Sequence, residues 1–156
     1  MTISPENERG WAMFCHLSSL LWIPLAAIGL PIPFASLVIP LIVWSARRRE
    51  SNFIDYHGRE SLNFQISMLI YGFVLVLIGL GIGVFLIVVV GFEQFDSNNP
   101  IAAMNVLAGA FAYVAFLIVW AIIQTIIVVI VGVQAVQGKK SRYPLTIRFI
   151  PTSKSL

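Results

Sequence analysis

Residues 97–138 run for 42 positions without a single Lys, Arg, Asp or Glu, and residues 61–92 do the same for 32. A helix needs about 20 apolar residues to cross the hydrocarbon core of a bilayer. Each run is long enough for one crossing with length to spare, which tilt or an interfacial turn can take up. The first part of the chain has a third uncharged run, residues 10–46, of 37 positions. Charged residues make up only 11% of the 156-residue chain, and 58% of it is hydrophobic. A soluble domain carries about 25% charged residues. The composition therefore predicts an all-α integral membrane protein.

The placement of the basic residues sets the number of crossings. All ten Lys/Arg fall in three places: Arg9; Arg47, Arg48, Arg49 and Arg59; and Lys139, Lys140, Arg142, Arg148 and Lys154. Short loops rich in Lys and Arg stay on the cytoplasmic side. All three clusters then share one side, and the acidic loop at residues 93–100 lies opposite. An even number of crossings must separate successive clusters. This predicts a four-helix transmembrane bundle with both termini cytoplasmic. The expected organisation is a cytoplasmic segment at 1–9, a membrane domain at 10–138 and a basic cytoplasmic tail at 139–156. The membrane segments fall near 11–28, 34–46, 61–92 and 99–137.

The second segment is the tight one. The Gly-Leu-Pro-Ile-Pro run at residues 29–33 cannot continue a helix undisturbed. It leaves only residues 34–46, which form either a short helix or half of a re-entrant hairpin. Trp11 and Trp44 lie at the cytoplasmic ends of their segments, where interfacial aromatics concentrate. Trp120 falls mid-segment and is expected to pack between helices. The N-terminus has Glu6 and Glu8 against Arg9 and no clear cleavage site, so the first segment is expected to be retained.

Several chemistries are poorly supported. The basic residues flank apolar segments instead of forming a continuous face, so nucleic-acid binding is not expected. Cys15 is the only cysteine and reads as a small buried hydrophobe. His16 follows it immediately, but adjacent helical residues point apart, which argues against a Cys/His catalytic pair. His16 is the one ionisable side chain inside an apolar segment. Such a residue is a functional flag, though a histidine hydrogen-bonded to another helix explains it more simply than catalysis does. No phosphate-binding loop, nucleophile elbow or zinc-helix motif is present.

The richest stretch is residues 55–65, with Asp55, Tyr56, His57, Arg59, Glu60, Asn63 and Gln65. Asn63, Ser67 and Tyr71 share one helix face, and Glu60 joins it one turn earlier. Unsatisfied polar groups are expensive in hydrocarbon, so this stripe must face protein or a vestibule. The expectation is an ordered segment at the cytoplasmic mouth, with Glu60 and Asn63 turned toward the first and last helices. Candidate partners for this pair are Arg59, His16 and the basic tail at 139–148. Asp55, His57 and Glu60 lack further ligands at a recognised spacing, so no metal site is expected. Gly79 and Gly83, and Ala108 and Ala112, are small-residue pairs of the kind that lets helices approach closely.

Three blocks carry a resemblance: Arg9-Gly-Trp-Ala-Met-Phe-Cys-His16-Leu-Ser, Asp55-Tyr-His-Gly-Arg-Glu60-Ser-Leu-Asn63-Phe-Gln65 and Arg142-Tyr-Pro-Leu-Thr-Ile-Arg148. Together they resemble a bacterial membrane family catalogued as domain-of-unknown-function family 4870. That family is distantly similar to the twenty-kilodalton Tic component of chloroplast protein import. The resemblance implies four membrane helices and a bacterial inner-membrane location, with no catalytic residues to carry over. The expected function is that of a non-enzymatic accessory or scaffold protein, in translocation or envelope maintenance, that uses no cofactor. Its partners are then the lipid bilayer and other membrane proteins. The alternatives are an oligomeric small transporter or pore subunit, motivated by the polar stripe and Gln124, and a membrane enzyme acting on lipid through His16, His57 or Glu60.

Overall fold

The computed structural model describes residues 3–30, 34–91 and 100–151. The expected turn at 31–33, the acidic loop at 93–99 and Lys154 lie outside the described residues. Helices account for nearly all the regular structure, and no strand occurs among the described residues. Among the described residues the chain forms four helical stretches, the number the charge pattern predicts.

The first stretch is composite. Helix α1, Pro5–Leu17, starts where the Ser4 hydroxyl accepts from the Asn7 amide, with Pro5 in the first turn and Glu6 and Glu8 near the positive end of the helix. A 3₁₀ turn, Ser18–Leu21, joins it to the short helix α2, Trp22–Ala27. The tightening has a local cause. Pro24 has no amide to give the Leu20 carbonyl, and its ring crowds that group. Gly29, at φ 78°, stops the rod, with the Gly29 amide bonded to the Ala26 carbonyl and the Leu30 amide to that of Leu25. Together Pro5–Ala27 is long and apolar enough to cross a membrane.

Helix α3, Ala35–Arg47, has 13 residues and carries Pro40 inside it. At 1.5 Å per residue it is roughly 20 Å long, short of the ~30 Å hydrocarbon thickness. It packs against the 3₁₀ turn and α1. Helix α4, Asn52–Phe85, continues as a π-helical segment, Leu86–Gly91, and helix α5 is Pro100–Val136. The stretches Asn52–Val88 and Met104–Val136 are both of membrane-crossing length and composition. The Ser51 hydroxyl caps α4 by accepting from the Phe53 amide at 2.9 Å, and it donates to the Glu8 carboxylate. Gly138, at φ 75°, ends α5, and the Gly138 and Lys139 amides close on Ala135 and Gln134.

The chain divides into two compact units. The first holds residues up to 69 and from 124 onward, and the second is Ile70–Ile123. The core of the first unit is Cys15, Val43, Trp44, Ile54 and Leu62, with Trp11, Leu37 and Ile150 packed against it. In the second unit large apolar side chains point outward; Phe73 is 65% exposed and Phe111 73%. That arrangement suits hydrocarbon and would be untenable in water.

Candidate functional site

The first unit buries an unusual number of polar side chains. His16, His57, Glu60, Ser61, Asn63, Gln65 and Ser67 are all buried. Helix α4 supplies six of them, because it begins at Asn52 and carries residues 55–65 as helix, not as a connecting loop. The stripe expected from the spacing is present. What lies against it is the tail that follows α5, at residues 139–151.

The histidines form a hydrogen-bonded chain. Nε2 of His16 lies 2.9 Å from Nδ1 of His57, and Nδ1 of His16 lies 2.8 Å from the Tyr143 hydroxyl. One proton order joins all three groups. Tyr143 donates to His16, His16 donates to His57, and His57 then carries its proton on Nε2. That nitrogen sits by the Lys139 main chain without a hydrogen bond of good geometry. Burial, and secondarily the Glu60 carboxylate, push the Tyr143 phenol well above its ordinary range, so it stays protonated and able to donate. Rings support the chain: Phe64 stacks on Tyr143 at 4.1 Å, and Phe53 meets His57 edge-on at 4.4 Å. Both ring nitrogens of His16 are engaged, so neither serves Cys15 as a base. The Cys15 carbonyl accepts from the Ser61 hydroxyl at 2.8 Å.

Asn63 turns to the tail, not to α1 or α5. Its Oδ1 accepts from the Phe149 and Ile150 amides at 3.1 and 2.8 Å, and its Nδ2 donates to the Ile150 carbonyl at 2.8 Å. An irregular tail has unpaired peptide groups, whereas helix interiors have none to offer. One turn on, the Ser67 hydroxyl accepts from the Ile147 amide at 2.9 Å. At the other end of the stripe the Tyr56 hydroxyl donates to the Ser141 carbonyl at 3.3 Å, and Arg59 Nη1 donates to the Pro151 carbonyl at 2.7 Å.

Glu60 is fully buried, and neither carboxylate oxygen has a hydrogen-bond partner. The nearest cation is Arg148, whose Nε stops 3.9 Å from Oε1. Asp55 belongs to a different corner, where it accepts from Trp44 Nε1 at 2.9 Å and from Arg59 Nε at 2.8 Å. The guanidinium of Arg48 lies 4.9 Å from the centre of the Trp44 ring. Gly58 lies directly under that ring: a Cβ there would run into the Trp44 side chain. Within the basic tail at 139–148 that the sequence offered as a partner, it singled out neither Tyr143 nor the 147–150 main chain. Their one visible signal is the Arg142-Tyr-Pro-Leu-Thr-Ile-Arg148 block. Among the described residues no three His, Cys, Asp or Glu side chains gather as a metal-binding set.

The second unit has a simpler feature. The Tyr113 hydroxyl donates to the Leu75 carbonyl at 2.6 Å, and the Tyr113 ring fills the space over Gly79. An apolar cleft of about 480 Å³ adjoins it, lined by Gly79, Gly83, Gly109 and Tyr113 among others. Gly79 thus serves packing within this unit, whereas a Cβ at Gly83 would meet open space. Trp120 Nε1 is buried without a hydrogen-bond partner.

The family model of the Magnetosome magnetite crystal formation protein family (MamF/MmsF) matches residues 7–150. The chain belongs to this family. The match spans the histidine pair, the α4 stripe and the tail seated on it. It overturns the resemblance to domain-of-unknown-function family 4870 and to the Tic component, and with it the expected link to protein translocation. The reason lies in what carried that resemblance: three short blocks, set among apolar segments of a kind many membrane proteins share. No curated protein and no solved structure matches the chain.

Proposed function

We propose that this magnetosome-family chain is a non-enzymatic scaffold of the membrane in which magnetite crystals form. The observation that carries the reading is how the buried polar groups are used. His16, Tyr143, Asn63 and Ser67 bond to one another or to the chain's own tail. A catalytic centre would instead direct a nucleophile or base into a substrate cleft. The cleft in the second unit is lined by apolar groups and one tyrosine already bonded to a carbonyl.

The test is genetic replacement in a magnetite-forming bacterium, with crystal size and shape read by electron microscopy. The scaffold reading expects His57→Gln and His16→Gln to alter crystals only in proportion to the protein lost from the membrane. Normal protein levels with crystals as defective as in the deletion strain would instead make the histidine chain reactive and the reading wrong.

We further propose the inner-membrane orientation that the basic clusters suggest, with both termini cytoplasmic. In a Cys15→Ala background, Ser97→Cys and Arg49→Cys should react with impermeant thiol reagents from opposite sides. Labelling of both from one side would refute it.

A further inference from the structure

The tail that follows α5 makes a hairpin along α4. Ser141 meets Tyr56 and Ile147 meets Ser67, and the chain then returns, with Ile150 at Asn63 and Pro151 at Arg59. From Tyr56 to Ser67 is about 16 Å at 1.5 Å per residue. The charges of α4 end at Glu60, and residues 61–92 carry none. The deep end of the hairpin therefore lies roughly two turns inside the uncharged run. We infer that this hairpin is a lipid-binding element. Its tip sits in the hydrocarbon of the nearer leaflet, and its basic residues hold the headgroups of anionic phospholipids there. The inference does not rest on the crystal-formation reading.

The protein grips the hairpin mostly by peptide groups, at Ser141, Ile147, Phe149, Ile150 and Pro151. That leaves large apolar side chains on the outside. Leu145 is 74% exposed, and Ile147 and Phe149 are exposed beside it. Water penalises such a cluster and hydrocarbon does not. Hydrocarbon reads no shape, so any apolar side chain serves at 147 and 149. Leu145 adds a second observation. It is held at φ 56°, a conformation open to glycine and costly for a residue with a Cβ. A strained turn that presents a leucine outward points to a use for that side chain. Contact with acyl chains supplies it.

Charge identifies the lipid. Residues 139–151 include Lys139, Lys140, Arg142 and Arg148 and no acid. Arg148 is exposed, and its Nε stops 3.9 Å from Glu60. A guanidinium has five N–H donors in a fork that matches a phosphate, and this one is not closed on its carboxylate. Cations around an apolar tip fit a surface with phosphates above hydrocarbon. A dissolved anion or an acidic peptide would match the cations and leave the leucine in water.

Full-length chains in bilayers of phosphatidylcholine and phosphatidylglycerol test both halves of this. A nitroxide on Leu145→Cys, in a Cys15→Ala background, should collide more with oxygen, which concentrates in hydrocarbon, than with a water-soluble nickel chelate. The same label on Glu6→Cys, at an exposed position before the first apolar run, should do the reverse. A label at 145 that behaves like the one at position 6 overturns the inference. Phospholipid that stays bound through extraction in mild detergent is then counted. It should be enriched in phosphatidylglycerol. Arg142→Gln should lower that enrichment roughly fivefold, the effect of one basic residue at an anionic surface. Arg49→Gln removes an exposed cation outside the tail and should lower it much less. No enrichment in the parent, or equal loss in the two variants, overturns the inference.

Discussion

The two units of this chain solve the same solvent problem in opposite ways. The second unit has only two charged residues, Glu93 and Asp96, both outside the described residues, and its large apolar side chains face outward. The first unit holds all the described Lys and Arg residues and buries two histidines, a glutamate and an asparagine. In hydrocarbon, apolar burial between helices provides little driving force, so close packing and polar contacts must hold helices together. The described contacts of the second unit include a glycine–tyrosine contact and a hydroxyl–carbonyl bond. The first relies on a network in which most partners are specific atoms. Substitutions should therefore be costly in one unit and cheap in the other.

Glycine gives the sharpest contrast. Gly58→Ala should be the most damaging single change, because its Cβ collides with the Trp44 side chain, itself fixed by Asp55. Overpacking of this kind costs about 1–3 kcal/mol or more. Gly109→Ala in the second unit meets open space and should be neutral or gain up to about 1 kcal/mol from helix propensity. Melting of both variants in the same detergent checks this, and equal losses would break the contrast between the units.

Asn63→Ala comes next. It removes three hydrogen bonds and leaves the Phe149 and Ile150 amides without their acceptor. An orphaned buried group costs about 1–3 kcal/mol; these amides are only part-buried, so a loss of about 1–2 kcal/mol is expected. Limited proteolysis should show the tail becoming cleavable first. A tail that stays protected in this variant would mean that the side chains, not Asn63, hold it.

Tyr143→Phe should cost about 1 kcal/mol, since the stacking on Phe64 survives and only the bond to His16 is lost. It also has a pH signature. Burial raises the folded-state value of the Tyr143 phenol well above its ordinary 10. The unfolded chain thus releases this proton first. The stability it contributes is complete below about pH 10 and is lost as pH rises through the folded value. The parent should lose melting temperature above pH 10 more steeply than Tyr143→Phe. Parallel alkaline profiles would show that another group controls the loss.

Phe111→Leu should have the smallest effect. The side chain is 73% exposed, and outward substitutions away from special features stay within about 0.5 kcal/mol. A loss above that in the melting assay would place this face in a contact.

The helices were legible for a simple reason: an uncharged run of 32 or 42 residues has one economical use. The polar stripe was legible too, because Glu60, Asn63 and Ser67 recur at helical spacing. Its partner was legible only as a segment, the basic tail at 139–148, and not as the atoms that make the bonds. The tail has no period to read, and it is held mostly through peptide groups, which every residue possesses. The length of α4 was also hidden. Its first turns, from Asn52 to Arg59, carry charges that suggest a loop, yet Ser51 caps them and Gly58 lets Trp44 lie flat against them. The family was hidden for a related reason. The residues that looked distinctive are those needed to seat a tail, and only the pattern over residues 7–150 separates this family from others with similar helices.

The way Asn63 and Ser67 hold the tail also governs how the sequence can drift. Ile147 and Phe149 are 42% and 49% exposed, and their amides, not their side chains, are what the seat grips. Their spelling can change over generations with little effect. The count of residues between Tyr143 and Ile150 cannot, because one insertion or deletion would shift every amide out of step with its acceptor. Selection on this segment should therefore tolerate substitutions and purge changes in length.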